Sequence, residues 1–214
     1  MHYQDEHFAQ IEQNIHRSEE LYKRLEQGTP EDSLIPSKED SSGESLEGLP
    51  TQEEIDSGVE KNALHLEGME LTFKQTSFFD GRISLKFPHD FFTLSSDDYG
   101  YLVYMNLKNA VNCILNYTAG GGEIDLQAIK KGIMDIFKQS QVRTSCIEEG
   151  MKRVNGNPMG YCVVINHTPN FDIFNYMIYT AVRDGHVIVN FNGDKKVFGL
   201  WEMLAKSLMN TIEV

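Results

Sequence analysis

The chain has 214 residues, of which 19 are Lys or Arg and 32 are Asp or Glu, and its formal net charge is −13. This length allows one domain with an extension, or two small domains. Because sequence-independent binding to nucleic acid and docking on anionic lipid both need clustered cations, the composition argues against both functions.

The acidic charge is concentrated in the first third of the chain. Residues 1–66 contain 16 acidic and 5 basic residues, whereas residues 67–214 contain 16 and 14. No window approaches the roughly 20 apolar residues of a membrane span. The N-terminus also lacks the basic and apolar regions of a signal peptide. We therefore expect a cytoplasmic protein that binds neither membrane nor nucleic acid.

The first third is predicted to contain two segments before the main domain. Residues 1–27 are predicted to form an amphipathic helix, because apolar side chains recur at three-, four- and seven-residue spacings. These side chains are Phe8, Ile11, Ile15, Tyr22 and Leu25. Residues 28–66 are rich in Ser, Glu, Asp, Gly and Pro, which is typical of a flexible acidic linker.

Residues 67–214 have the pattern of a compact domain. The segments "MELTFKQ" and "RISLKFP" alternate apolar and polar residues and predict a hairpin around the turn "SFFDG". Further strands are predicted at 101–107, 110–117, 143–154, 159–167, 173–182 and 186–192. Apolar spacing predicts one helix after the triple glycine and another from about residue 195. The dipeptide Asp184-Gly185 predicts a two-residue hairpin turn.

This order leaves room for few βαβ units, so the sheet should be largely antiparallel. The runs "YCVVIN" and "IFNYMIYTAV" are apolar on both sides, which is expected of central strands covered on both faces. The predicted fold class is α+β. It is a three-layer α/β/α sandwich with a largely antiparallel sheet, preceded by a separate N-terminal helix.

The stretch "NYTAGGGEIDL" places Gly120–Gly122 just before a helix, where many proteins bind phosphate. A P-loop needs a Lys and a Ser or Thr that are missing here. Glu123 and Asp125 would repel an anion, and Asp125 suits a helix N-cap. The glycines are therefore interpreted as a sharp turn between a strand and its covering helix.

No residue pattern indicates catalysis, a cofactor or a metal site. The seven histidines show no ligand spacing, and no G-x-S-x-G motif occurs. Cys113, Cys146 and Cys162 lie in strand-like runs and are predicted to be buried and reduced. Glu148 and Glu149 should point to opposite faces of a strand. We predict that the protein is not an enzyme.

Aromatic residues in turns and at strand ends suggest an interaction surface, because exposed aromatics often mark binding sites. The candidates are Phe78, Phe79, Phe91, Phe92, Tyr99 and Tyr101. The alternative is that these rings fold under the loops as a satellite cluster.

The domain also resembles a known family. "GRISLKFPHDF", "VNCILNYT", "DLQAIKKGIMDIF", the repeated hairpins and the closing "WEMLAKSLMNTI" are similar to the Mog/PsbP-like α/β/α sandwiches, including bacterial DcrB-like proteins. The resemblance rests on the order and pattern of the elements, and it assigns no functional residue. It implies a non-enzymatic binding or accessory role.

We therefore predict a non-catalytic protein-binding or accessory module with a protein partner of unknown identity. The N-terminal helix is expected to dock on its own domain, on a second copy through self-association, or on the partner. One alternative is a small-ligand-binding protein or hydrolase with a pocket under segment 87–104. Another is an acidic antidote to a basic toxin. The pentapeptide "YKRLE" matches a short secretion pattern, Y-x-x-x-[DE], that is common by chance.

Overall fold

The computed structural model describes residues 49–98, 100–120, 125–139, 142–169 and 171–214. All of them belong to the compact unit Leu49–Val214. The predicted N-terminal helix and the first part of the predicted linker, up to residue 48, lie outside the described residues.

The described residues form three α-helices together with short hairpins and long strands. The helices are α1 (Gln52–Glu60), α2 (Leu126–Gln139) and α3 (Phe198–Met209), and a 3-10 turn, Lys195–Val197, precedes α3. The strands are β1 (Ala63–Leu66), β2 (Met69–Thr72), β3 (Lys74–Phe78), β4 (Ile83–Phe87), β5 (Thr93–Asp98), β6 (Tyr101–Asn106), β7 (Val111–Ala119), β8 (Arg143–Val154), β9 (Asn157–His167), β10 (Asp172–Val182) and β11 (Gly185–Asp194).

Seven strands form one sheet in the order β5-β6-β7-β11-β10-β9-β8. Every neighbouring pair in it is antiparallel, which confirms the prediction of a largely antiparallel sheet. The pairs β1-β2 and β3-β4 form two separate hairpins. Strand β10 lies near the centre, and its side chains from Ile173 to Thr180 are all buried, as its two-sided apolar sequence predicted.

The main core lies on the face of the sheet that α3 covers. Trp201 of α3 is buried there, and its ring lies 5.8 Å from that of Phe191 on β11. The rings of Phe91 and Phe92 lie 5.4 and 5.6 Å from Trp201. Aromatic packing therefore joins α3, the centre of the sheet and the segment after β4.

Helix α2 contacts β8, β9 and β10. Asp125 begins it, because its Oδ1 accepts a hydrogen bond of 2.8 Å from the Gln127 N–H, and this confirms the predicted N-cap. Lys130 of α2 pairs with Glu149, whereas Lys206 of α3 pairs with Glu148. Since adjacent strand residues point to opposite faces, the two helices lie on opposite sides of β8. The prediction for the two glutamates is confirmed.

The structure corrects the predicted linker boundary, because α1 and β1 lie within residues 28–66. Thr51 and Glu54 form a reciprocal capping box at the start of α1. Ile55 and Val59, four residues apart, are buried, and α1 contacts α3. Two apolar residues on one helical face are therefore enough to dock α1. The overall acidic composition of this segment did not indicate them.

The structure also corrects the first predicted hairpin. The segment "MELTFKQ" divides at Phe73, which is buried. Before it, β2 pairs with β1, with Leu71 opposite Leu64. After it, β3 pairs with β4. The alternating pattern was read correctly as extended chain, but alternation does not identify the partner strand.

The β10-β11 hairpin is confirmed, with its turn displaced by one residue. Val182 pairs with Gly185, so Arg183 and Asp184 occupy the turn. Gly185 is required for a different reason from the one predicted. A Cβ there would lie 2.0 Å from the Thr118 carbonyl oxygen on the neighbouring strand β7.

Substitution of Gly160 by Ala should destabilise the fold. A Cβ at this position would lie 2.1 Å from the ring of Tyr179, the opposing residue on β10, and that ring is buried. We expect Gly160→Ala to lower the free energy of unfolding by about 1–3 kcal/mol. Gly120→Ala is the matched control, because nothing lies within 4 Å of its Cβ, and it should be neutral or slightly stabilising. Urea denaturation measures the stability of both variants. Equal midpoints would contradict the predicted clash at residue 160.

Candidate functional site

Strand β8 is a long strand at one edge of the sheet. Its inner side pairs with β9, and its outer side pairs with no other described strand. Two large apolar side chains on it are unusually open, Ile147 at 55% and Met151 at 48% exposure. An edge strand offers unpaired backbone N–H and C=O groups, which a second polypeptide can use.

A β-bulge divides β8 into two parts. The register shifts between Cys146, which pairs with Val164, and Glu148, which pairs with Val163. Ile147 is the extra residue, and a bulged residue is left outside the ladder. The bulge accounts for an exposed isoleucine in a strand that otherwise pairs regularly with β9.

On the α3 side, β8 is held by a network centred on Glu148. The Tyr161 hydroxyl donates to Glu148 Oε1 at 2.9 Å, and Lys206 Nζ lies 3.1 Å from Oε2. Lys206 also donates to Glu202 at 2.7 Å. Burial acts to raise the pKa of Glu148, but the hydrogen bonds from Tyr161 and Lys206 outweigh it and leave this pKa below its ordinary value.

On the α2 side, Lys130 donates to Glu149 Oε1 at 2.6 Å. This hydrogen bond lowers the pKa of Glu149 and raises that of Lys130. The two glutamates thus connect β8 to a helix on each side. The backbone of the edge strand is held in place while Ile147 and Met151 stay exposed.

The cysteine prediction is correct for two residues and wrong for the third. Cys113 and Cys162 are buried, and Cys146 is exposed on β8 beside the bulge; all three are free. Burial raises the pKa of Cys162 to about 12. Burial and the nearby Glu149 carboxylate also raise the pKa of Cys146, so its thiol stays protonated near neutral pH.

A second polar group lies at the start of β8, on the α3 face. Ser145 Oγ is 2.8 Å from His167 Nε2, and His167 Nδ1 is 3.0 Å from Asp172 Oδ1. Lys195 Nζ contacts the other oxygen of Asp172 at 3.2 Å. Sequence reasoning missed this group, since its members are 22 and 5 residues apart and only the strand register brings them together.

Of the five described residues of the predicted aromatic surface, three lie in the core. Phe78, Phe92 and Tyr101 are buried. The prediction that these three rings form part of an exposed surface is therefore wrong. Phe79 and Phe91 are partly buried and pack against the core. Tyr99 lies outside the described residues. The alternative interpretation, rings folded under the loops, describes Phe78, Phe79, Phe91 and Phe92 correctly.

The other predicted sites have less structural support. Residues 121–124 of the glycine-rich turn lie outside the described residues, so the assignment of that turn stays a prediction. One open groove runs beside α1 and is lined by Glu54, Ser57, Lys61, His65 and other residues, none of them from segment 87–104. Within the described residues, no group of three or more His, Cys, Asp or Glu side chains could hold a metal ion. No described helix is long and apolar enough to cross a membrane.

The seven-stranded antiparallel sheet with its packed helices defines an α+β domain, and known structures share this arrangement. Cyanobacterial PsbP from Synechocystis sp. PCC 6803 is 10% identical, with a TM-score of 0.56 over 66% of this chain and 92% of that one. The Saccharomyces cerevisiae Ran-binding protein Mog1p is 11% identical, with a TM-score of 0.51 over 67% and 96%. The chain has the Mog/PsbP-like fold. No protein-family model matches it, and no curated protein has a matching sequence.

The Glu148 network should make stability depend on pH in the acid range. Because the folded-state pKa of Glu148 is lowered, its contribution is present above the unfolded-state value and is lost as pH falls below about 4.5. Glu148→Gln should unfold about 1 kcal/mol more easily at pH 7, allowing for solvent screening, and should lose less stability between pH 6 and 3.

Denaturant titrations at several pH values measure this difference. Glu67→Gln, which changes an exposed carboxylate in the β1-β2 turn, is the control and should track the parent protein. Parallel pH curves for Glu148→Gln and the parent would show that the network does not stabilise the fold.

Proposed function

We propose that this domain is a protein-binding or accessory module and that the outer edge of β8 contacts its partner. The observation that carries the proposal is the pair of exposed apolar side chains, Ile147 and Met151, on an edge strand fixed by ion pairs on both faces. Exposed apolar groups on a rigid frame lose little conformational entropy when a partner covers them.

The partner is expected to be an extended polypeptide segment. After the bulge, residues 148–154 keep a regular register with β9, so their outer backbone groups can pair with an added strand. Each glutamate of this stretch has a lysine partner, Lys130 for Glu149 and Lys206 for Glu148, and Lys206 is shared with Glu202. A partner strand would therefore meet glutamates that are already held by lysines on the two faces of the sheet.

The structural neighbours agree with this class of function at the level of fold. Mog1p is described as a Ran-binding protein, which gives one example of this fold with a protein partner. Partly buried Phe79 and Phe91 remain a secondary candidate surface.

Finer features belong to the same proposal. Helices on opposite sides of β8 support a three-layer α/β/α arrangement. Residues 1–27 would form the separate amphipathic helix, tethered by the acidic segment, and would dock on their own domain, on a second copy or on the partner. The protein would be cytoplasmic. Membership of the DcrB-like branch stays a prediction.

Affinity purification with the full chain tests whether the outer edge of β8 binds the partner. The double variant Ile147→Asp with Met151→Asp introduces charge where the partner should pack and should lower recovery of the specific partner at least about tenfold, which corresponds to 1.4 kcal/mol. Quantitative mass spectrometry identifies the proteins lost, and purified components then give the dissociation constant.

Leu94→Asp is the matched control. Leu94 is 47% exposed and lies beside a register shift on β5, the strand at the opposite edge of the sheet. It should leave recovery unchanged. A partner that binds the double variant and the parent equally well would overturn the assignment of the β8 edge.

A further inference from the structure

We propose that Ser145 is an activated nucleophile, with His167 as its general base and Asp172 as the residue that positions His167. The three side chains form a hydrogen-bonded chain with the connectivity of a serine acyl-transfer site. This activity is separate from the proposed binding function and does not depend on it.

Strand pairing, and not a loop motif, places Ser145, His167 and Asp172 next to one another. On β9, His167 lies directly opposite Arg143 of β8 and Asp172 of β10. Ser145 is two residues from Arg143, so it is a diagonal neighbour of His167 on the same face. Three adjacent, regularly paired strands therefore fix the relative positions of all three groups.

The direction of the hydrogen bonds suits nucleophile activation. An ionised Asp172 has only acceptor atoms, so His167 Nδ1 must carry the proton in that contact. In the neutral imidazole, Nε2 is then a free base facing the Ser145 hydroxyl at 2.8 Å. Lys195 holds the second oxygen of Asp172 and keeps the carboxylate ionised and oriented.

A comparison within the molecule shows that the hydrogen-bonded group of Ser145, His167 and Asp172 is more than a surface ion pair. His65 and Glu70 are also a histidine and a carboxylate in contact, at 3.4 Å, but both side chains are about 70% exposed. The side chains of His167 and Asp172 are only 30% and 27% exposed. The Ser145 group is thus ordered by packing while it stays open to a substrate from solvent.

Arg143 supplies a candidate electrophilic group. It lies on the same strand face as Ser145 and opposite His167. A guanidinium there can stabilise the negative oxygen of a tetrahedral intermediate. The site therefore contains a nucleophile, a base and a positioning carboxylate, with a cationic residue at the register position opposite His167.

The reaction that fits these groups is hydrolysis of an accessible ester. Ser145 Oγ would attack the carbonyl carbon while its proton moves to His167 Nε2. Collapse of the tetrahedral intermediate breaks the bond to the alcohol, which takes the proton from His167 and leaves acyl-Ser145. Water, deprotonated by His167, then attacks the acyl group, and Ser145 leaves with a proton, so that ester and water become acid and alcohol.

A fluorophosphonate probe and p-nitrophenyl acetate test the proposal on the full chain. Cys146→Ala is used as the parent background, because Cys146 is the exposed cysteine next to Ser145 and its removal excludes any contribution of a thiol to the measured reaction. We expect a covalent phosphonyl adduct on Ser145, located by fragmentation of the tryptic peptide spanning residues 144–152. Ser145→Ala should abolish it and should lower ester hydrolysis to the background rate.

His167→Ala should slow labelling roughly 100-fold or more, with partial rescue by added imidazole, which a structural role would not produce. Asp172→Ala should slow it as well, and Asp172→Glu should restore part of the rate. His65→Ala and Ser96→Ala are matched controls outside this group and should react like the parent. Circular dichroism checks that each variant is folded.

Two outcomes would overturn the proposal. One is the absence of an adduct on Ser145 in a folded parent protein, together with ester hydrolysis equal to that of Ser145→Ala. The other is labelling of folded His167→Ala at the parental rate. The first comparison removes a single hydroxyl and stays decisive even if the histidine variant does not fold.

Discussion

The burial of Trp201 is the interaction on which the rest of this domain depends. Its ring packs on Phe191 at the centre of the sheet and on Phe91 and Phe92 from the segment after β4. Phe92 in turn stacks on Phe87 of β4. One side chain therefore joins the C-terminal helix, the main sheet and the β3-β4 hairpin, three parts that have no backbone hydrogen-bond ladder in common.

This arrangement explains why β8 is held differently from the central strands. Apolar packing decreases toward the edge of the sheet, and every residue of β8 except Val154 is half-buried or exposed. Ion pairs from Lys130 and Lys206 add to the hydrogen-bonded pairing of this strand with β9. Charged groups can do this at an edge because they stay partly hydrated, and they leave the strand open to solvent.

The bulge at Ile147 separates two surfaces on the same strand. Before it, Ser145 belongs to the polar chain that continues through His167 to Asp172. After it, the regular register continues to Val154 along the edge proposed for partner binding. The Cys146 thiol lies between them and stays protonated, so neither surface depends on thiol chemistry.

The sequence by itself determined the elements whose patterns are local. Long two-sided apolar runs predicted β9 and β10, helical spacing and Asp125 predicted α2, and adjacency alone placed Glu148 and Glu149 on opposite faces. Tertiary structure decided what local pattern cannot contain: which strand pairs with β2, that α1 docks through Ile55 and Val59, and that three of the five described candidate aromatics are buried. It also decided the Ser145 group, because the contact between Ser145, His167 and Asp172 arises from the register of three strands. That register is set by burial over the whole sheet.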